Sequence, residues 1–280
     1  MPCYHPLRGW RDRNGTVTLG REPPDAAPLP IPCGGCIGCR KDKAQAWALR
    51  CHLEYQQHRT TAFATLTYDP QHCPPSLDRK HLQLFLKRLR KHAKQRLRFF
   101  ACGEYGEQTH RPHYHAILFG CSQDDAGLVS HAWGKGFTET VPATVGAIHY
   151  VAGYVAKKYG DMAYSKEERI DYTTGELYKW EPPFIQMSRG GRKGKGIGAH
   201  AKQWTESWRS HAVLDGKPIK VPRYLHEAWK KTASDEDIEI LKWEKQQLAL
   251  GRDTSKARLE AGEKIALAKQ RMKAERRSKI

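Results

Sequence analysis

Long apolar runs are missing from this 280-residue sequence. Nothing in it approaches the roughly 20 apolar residues that a membrane-spanning helix needs. The opening stretch MPCYHPLRGWRDRNG lacks the apolar centre of a secretory signal, and no lipidation motif is present. These absences argue against a membrane partner and place the expected protein in a reducing cytoplasm. Acids are scarce too: 30 Asp and Glu stand against 48 Lys and Arg, a formal net charge of +18. Such a surplus concentrates polyanions near the surface and makes affinity fall with salt, so nucleic acid is the expected partner. Internal repeats are also absent. What remains, 39% hydrophobic and 10% aromatic residues, is enough for the core of one or two domains.

Cysteine is not scarce. Three of the eight fall within CGGCIGC, residues 33–39. Without a secretory signal, clustered thiols read as metal ligands rather than disulfides. Cys33, Cys36 and Cys39, with glycines between them, supply three corners of a tetrahedral zinc site. Cys3 is the first choice for the fourth corner, with Cys51 or His52 as substitutes. An iron–sulfur motif would call for a Cys-Pro soon after, which does not occur. A structural Zn2+ tying down the N-terminal segment is therefore expected.

Periodicity sketches the rest. Residues 20–32 carry five prolines and are expected to be irregular, and a helix follows over about 42–58. TTAFATLTYDP (60–70) reads as a strand. Leu82, Phe85, Leu86, Leu89, Ala93 and Leu97 recur at spacings of three and four, which predicts an amphipathic helix capped by Ser76 or Asp78. RFFACGEY (98–105) and HYHAILFG (113–120) form two strands of an antiparallel hairpin. The segment 142–160 is a helix capped near Thr144 and stopped at Gly160. Residues 161–183 are a polar excursion, and a charged helical tail broken near Gly251 starts at about 234. Interleaved helices and an antiparallel hairpin give an α+β fold, a central antiparallel sheet with helices on one face.

Two histidines in RPHYHAILFG (111–120) sit one residue apart. On a strand, His113 and His115 point to one face and Tyr114 to the other. Two imidazoles and a carboxylate from the neighbouring strand can hold a divalent metal with positions left open for a phosphate oxygen. Glu104 is the expected third ligand and Glu107 its substitute; unligated histidines and a solvated acid are the plainer alternative. In YVAGYVAKK (150–158), Tyr150 and Tyr154 share a helix face, with Lys157 a turn further on. A tyrosine hydroxyl, with a reference pKa of about 10, becomes a useful nucleophile when a cation favours its phenolate and a metal makes phosphorus electrophilic. Two aromatics packing helix on sheet are the alternative. Gly153 between them, at a cost of roughly 1 kcal/mol relative to Ala, hints at close approach by the sheet or by DNA.

FATLTYD (63–69), RPHYHAILFG with Glu104 upstream, and YVAGYVAKK occur in the order and spacing of three motifs of the HUH endonucleases. The sequence resembles the rolling-circle replication initiators of that family, those of the gokushovirus branch of Microviridae above all. IPCGGCIGCR (31–40) and PFIQMSRGG with the later GIG extend the resemblance to about residues 1–225. It implies an RRM-like palm, with His113, His115 and Glu104 holding Mg2+ or Mn2+, and Tyr150 and Tyr154 as tandem nucleophiles assisted by Lys157. Thr65 and Thr67 fall in the first motif, in a structural or DNA-contacting role. Where some relatives carry a lysine, this chain has Gly153, which leaves activation of Tyr150 to the metal or to Lys157.

The activity implied is nicking and rejoining of single-stranded DNA at a replication origin, in the cytoplasm of a bacterial host, alongside a host helicase and polymerase. A relaxase or transposase would share the chemistry. A non-catalytic zinc-containing nucleic-acid-binding protein would have no need of the tyrosines. Lys87, Arg88 and Lys91 on the basic helix face, Arg111, Lys158, and Arg189, Arg192, Lys193 and Lys195 in a Gly-rich loop are the expected phosphate contacts. The expected division is a Cys-rich segment and helix at 1–58, an endonuclease domain at 59–225 and the tail at 226–280.

Overall fold

The computed structural model describes residues 3–93, 96–106, 109–158, 168–170, 174–190, 196–251 and 253–277. The chain forms two compact units, one from residues 1–43 and 235–280, the other from residues 44–234.

The first unit opens with three short strands, β1 (Leu7–Arg11), β2 (Val17–Leu19) and β3 (Ala27–Ile31), in the order β2-β1-β3. The proline-rich stretch therefore contains a strand where irregular chain is expected. Pro28 and Pro30 are tolerated because β3 is an edge. They alternate along it, opposite Trp10 and Arg8, so their missing N–H groups face away from β1. Helix α1 (Ile37–Tyr55) starts inside the cysteine cluster rather than at residue 42, and its later turns belong to the second unit.

The second unit is built on a five-stranded antiparallel sheet. Its strands are β4 (Thr61–Tyr68), β5 (Arg98–Tyr105), β6 (Pro112–Phe119), β7 (Gly136–Pro142) and, late in the chain, β10 (Phe184–Met187), in the order β10-β5-β6-β4-β7. Helix α2 (Arg79–His92) is capped by Asp78, whose side chain accepts from the N–H groups of Lys80 and His81. Ser76 instead meets the Tyr105 hydroxyl and the N–H of Glu181. The helix is shorter than its apolar spacing predicts. Ala93 turns extended, and Leu97 is buried ahead of β5 rather than on a further helical turn.

Helices cover both faces of the sheet, not one. Leu82, Phe85, Leu86 and Leu89 of α2, with Trp133 of α3 (Ala126–Trp133), pack on Ala62, Ala64, Leu66, Tyr114, Ala116 and Leu118. On the opposite face, Trp47 and Cys51 of α1 and Ile148 and Val151 of α4 (Val145–Lys158) pack on Phe100, Cys102, Ile117 and Phe119. Two-sided burial explains why β5 and β6 read as near-continuous apolar runs rather than as an alternation. Thr144 caps α4 through the N–H of Ala147; the expected stop at Gly160 lies outside the described residues.

Within 161–183 the described parts form a small ladder of β8 (Glu168–Ile170) and β9 (Leu177–Lys179). A hairpin of β11 (His211–Leu214) and β12 (Lys217–Lys220) and helix α5 (Arg223–Lys230) end the unit. Helices α6 (Asp235–Leu250) and α7 (Lys256–Arg277) form the tail, broken around Gly251 as its sequence indicates. None of the described helices is long and apolar enough to cross a membrane.

Candidate active site and metal centres

Sheet register assembles the first cluster. His113 of β6 pairs with Glu104 of β5 on one side and with Thr67 of β4 on the other, while His115 pairs with Cys102 and Thr65. Directly paired residues share a sheet face, so both imidazoles and the carboxylate converge on the α1/α4 side. Nε2 of His113 and of His115 lie 3.0 and 2.9 Å from the same oxygen, Oε1 of Glu104. The other ring nitrogens are held from behind: Nδ1 of His113 is 3.1 Å from the Arg111 carbonyl, and Nδ1 of His115 is 3.2 Å from Thr65 Oγ1. When Nδ1–H of His113 donates to that carbonyl, Nε2 is the nitrogen directed at Glu104: protonated, it donates to the carboxylate, and neutral, it offers its lone pair to a metal. That is the orientation a metal ligand needs.

Burial alone would raise the Glu104 carboxyl, but hydrogen bonds and positive charge from His113 and His115 outweigh it and hold its pKa at about 2. The result is a buried, ionised carboxylate beside two imidazoles, with ligand atoms within 4.8 Å of one another. The three residues can bind a metal ion.

Above them stands α4. The ring of His115 lies nearly parallel to both Phe63 and Tyr154, with centroids 5.5 and 5.9 Å away, and meets Tyr150 edge-on at 5.4 Å. The Tyr154 hydroxyl donates to that of Tyr150. Tyr150 is 36% exposed, whereas Tyr154 is half-buried. Burial first, then its bond to Tyr150 and the nearby Glu104 charge, push the Tyr154 hydroxyl far above the ordinary phenol range. Gly153 faces open space, since a Cβ there would meet nothing within 4 Å; the sheet does not approach it. The backbone of α4 carries Lys157 and Lys158, but their side chains lie outside the described residues.

Of the expected phosphate contacts, Lys87, Arg88 and Lys91 lie away from this cluster. Lys87 and Lys91 are exposed on α2, across the sheet from the histidines. Arg88 is engaged internally, donating from Nε to the Ala132 carbonyl at 2.6 Å and from Nη2 to that of Trp133 at 3.0 Å, which ties down the end of α3. Arg111 precedes β6, and its carbonyl supports His113. Arg189 is exposed; Arg192, Lys193 and Lys195, like Glu107, lie outside the described residues.

The second cluster is in the first unit. Sulfur atoms of Cys3, Cys33, Cys36 and Cys39 also lie within 4.8 Å of one another. Cys3 fills the fourth corner, while Cys51 is a fully buried thiol of the other unit. Gly34, at φ 76°, makes the turn between Cys33 and Cys36. Backbone N–H groups surround the sulfurs: Tyr4 N lies 3.3 Å from Cys36 Sγ, Cys33 N 3.3 Å from Cys3 Sγ and Cys36 N 3.3 Å from Cys33 Sγ. Burial opposes ionisation of Cys36, yet the N–H groups of Cys39 and Tyr4 outweigh it and bring the thiol to about 6. Four converging sulfurs, one readily ionised, suit a tetrahedral metal. Tyr4, Ile37 and Ala266 of α7 close the apolar side.

Residues 61–159, from β4 through α4, match the family model described as Replication-associated protein ORF2/G2P. Over 272 residues the chain is 28% identical to the Replication-associated protein VP4 of Bdellovibrio phage phiMH2K, covering 85% of this chain and 80% of that protein. It is 27% identical over 237 residues to the Replication-associated protein ORF2 of Spiroplasma virus 4, covering 74% and 69%. To the Replication-associated protein ORF4 of Chlamydia phage 1 it is 26% identical over 237 residues, covering 74% of this chain and 55% of the other. No solved structure matches.

Proposed function

For a chain related to the phage replication-associated proteins, we propose a metal-dependent nicking and joining enzyme that acts on single-stranded DNA at a replication origin. The observation that carries the proposal is the placement of two tyrosine hydroxyls beside a Glu104/His113/His115 cluster. Packing alone would not call for a buried carboxylate facing two imidazoles, since isolated buried charge is costly.

Glu104, His113 and His115 would hold the metal, and Thr65 and the Arg111 carbonyl would fix the rings. A divalent cation such as Mg2+ or Mn2+ supplies neutralisation of phosphate charge and polarisation of the scissile bond. Tyr150, the more exposed hydroxyl, attacks phosphorus as its phenolic proton leaves. The O–P bond to tyrosine forms, the P–O3′ bond breaks, and the 3′ oxygen takes up a proton. The products are a 5′-phosphotyrosine and a 3′-OH that can prime a host polymerase. The covalent link keeps the reactivity of a phosphodiester, so rejoining needs no ATP. After one round Tyr154 attacks the regenerated junction, and the freed 3′-OH displaces Tyr150 to close a circle.

In this reading Cys3, Cys33, Cys36 and Cys39 hold a structural Zn2+, and the basic surface supplies the salt-sensitive part of DNA affinity. The test is a nicking assay with Mn2+ on single-stranded oligonucleotides tiling candidate origins. A covalent protein–DNA adduct that survives denaturant is expected, and it should vanish in Tyr150→Phe/Tyr154→Phe. No adduct with any oligonucleotide would sink the enzymatic reading.

A further inference from the structure

Phe137 at the start of β7 is 68% exposed. Single exposed apolar side chains are ordinary on protein surfaces, so its location decides whether it has a role. Thr67 pairs with His113 on one side and with Phe137 on the other, and His113 pairs with Glu104. Residues paired directly share a sheet face. Glu104, His113, Thr67 and Phe137 therefore form one row across four strands, on the face that carries the cluster. At ~4.8 Å per strand, Phe137 stands two strands, or on the order of 10 Å, from His113.

Among the described residues, little covers this ring. Helix α4 packs chiefly on β5, β6 and β10, while α3 packs against β7. Thr138 and Thr140 are half-buried, whereas Phe137, Glu139 and Val141, which share the face of the cluster, are exposed. The backbone that presents the ring is also fixed. Gly134 ends α3 at φ 57°, Gly136 adopts φ 136°, and the Lys135 carbonyl accepts from Asp69 N at 3.0 Å. A Cβ on Gly136 would lie 2.2 Å from Asp69 N and 2.6 Å from the Thr67 carbonyl oxygen. Only glycine lets β7 run this close to β4, so Phe137 is held on an open shelf in line with the metal ligands.

A flat apolar ring about one nucleotide's reach from a phosphate-holding cluster, on a chain of net charge +18, matches an unpaired nucleobase attached to that phosphate. We propose that Phe137 is a stacking platform for a base of the single strand, next to the nucleotide whose phosphate lies at Glu104, His113 and His115. This rests on the nicking reading above. Phenylalanine offers no hydrogen-bonding group, so the platform adds affinity and orientation without selecting which base it holds.

Equilibrium binding tests it, with single-stranded 20-mers carrying 2-aminopurine at successive positions, with and without Mn2+, for wild type, Phe137→Ala and Phe137→Trp. Phe137→Ala should weaken binding by roughly 5- to 100-fold and abolish quenching at one position. The slope of log affinity against log salt should stay unchanged, since no phosphate contact is lost. Phe137→Trp should bind as wild type or better, and melting temperatures should agree because the side chain is exposed. Photocross-linking from 5-iodouracil at the quenched position should map to Phe137. Wild-type affinity and quenching in Phe137→Ala, in a protein that still nicks, would overturn the stacking role alone. A wild type that neither nicks nor binds single strands would overturn both readings.

Discussion

Thr65 Oγ1 lies 3.2 Å from Nδ1 of His115 and thereby sets which nitrogen of that ring faces Glu104. A threonine of β4 thus connects to a histidine of β6 across paired strands. Thr65→Val keeps the shape and removes the hydroxyl. It should weaken metal affinity and nicking by about 10- to 100-fold, while Thr65→Ser restores most of both. Metal titration by calorimetry alongside the nicking assay checks this. Unchanged affinity in the valine variant would deny the hydroxyl its orienting role.

The two tyrosines should not be equivalent. Tyr150 is the more exposed and accepts a hydrogen bond from Tyr154, whose own ionisation is opposed by burial. Tyr150→Phe should therefore reduce the first covalent adduct by at least about 100-fold, the scale expected when a reacting group is lost. Tyr154→Phe should retain initial nicking and lose joining. Denaturing gels with labelled oligonucleotides separate the two steps; the reverse pattern would assign the first attack to Tyr154.

Stability at low pH should depend on Glu54. Its carboxylate is buried among Arg98 Nε at 2.7 Å, His58 Nε2 at 3.1 Å and the N–H of Gly198 at 2.7 Å. Burial pushes the group up, but bonds from His58 and Gly198 and the Arg98 charge together bring it below the usual carboxylate range. A carboxyl depressed in the folded state contributes stability above its unfolded pKa and loses it as pH falls through the folded value. Glu54→Gln should flatten the acid limb of a melting-temperature profile and cost up to about 3–5 kcal/mol near neutrality by removing the carboxylate charge that faces buried Arg98. An identical profile for the variant would remove Glu54 from the acid response.

The Cys3/Cys33/Cys36/Cys39 cluster should carry one equivalent of zinc by elemental analysis. Cys36→Ser should lose most of it, because the thiolate and not the hydroxyl is the ligand. Cleavage within α7 by limited proteolysis should then quicken, since Ala266 packs against Cys36 and Ile37. Fully folded, metal-free wild type with the same cleavage pattern would count against a structural metal.

Much of the site was legible because it depends on short-range periods. One residue between His113 and His115 puts both on one strand face, and three between Tyr150 and Tyr154 put both on one helix face. Cross-strand partners were only half legible: Glu104 follows from the hairpin, but Phe137 depends on the β4–β7 pairing, for which no local spacing speaks. Charge by itself does not give a side chain's place. Arg88 looks like the rest of its basic face, yet its guanidinium is occupied by two carbonyls, and Lys87 and Lys91 lie across the sheet from the cluster. Strands β1 to β3 escaped notice because they are three to five residues long and one of them alternates proline with apolar residues.

The first unit draws its core from sequence-distant segments, with Tyr4 and Ile37 closing on Ala266. During synthesis, residues 44–234 leave the ribosome and can begin to fold before α7 has emerged. The sheet that carries Glu104, His113 and His115 can therefore be complete before the cysteine unit has all its parts. Order of assembly then runs from the middle of the chain outward, against the usual N-terminal-first sequence.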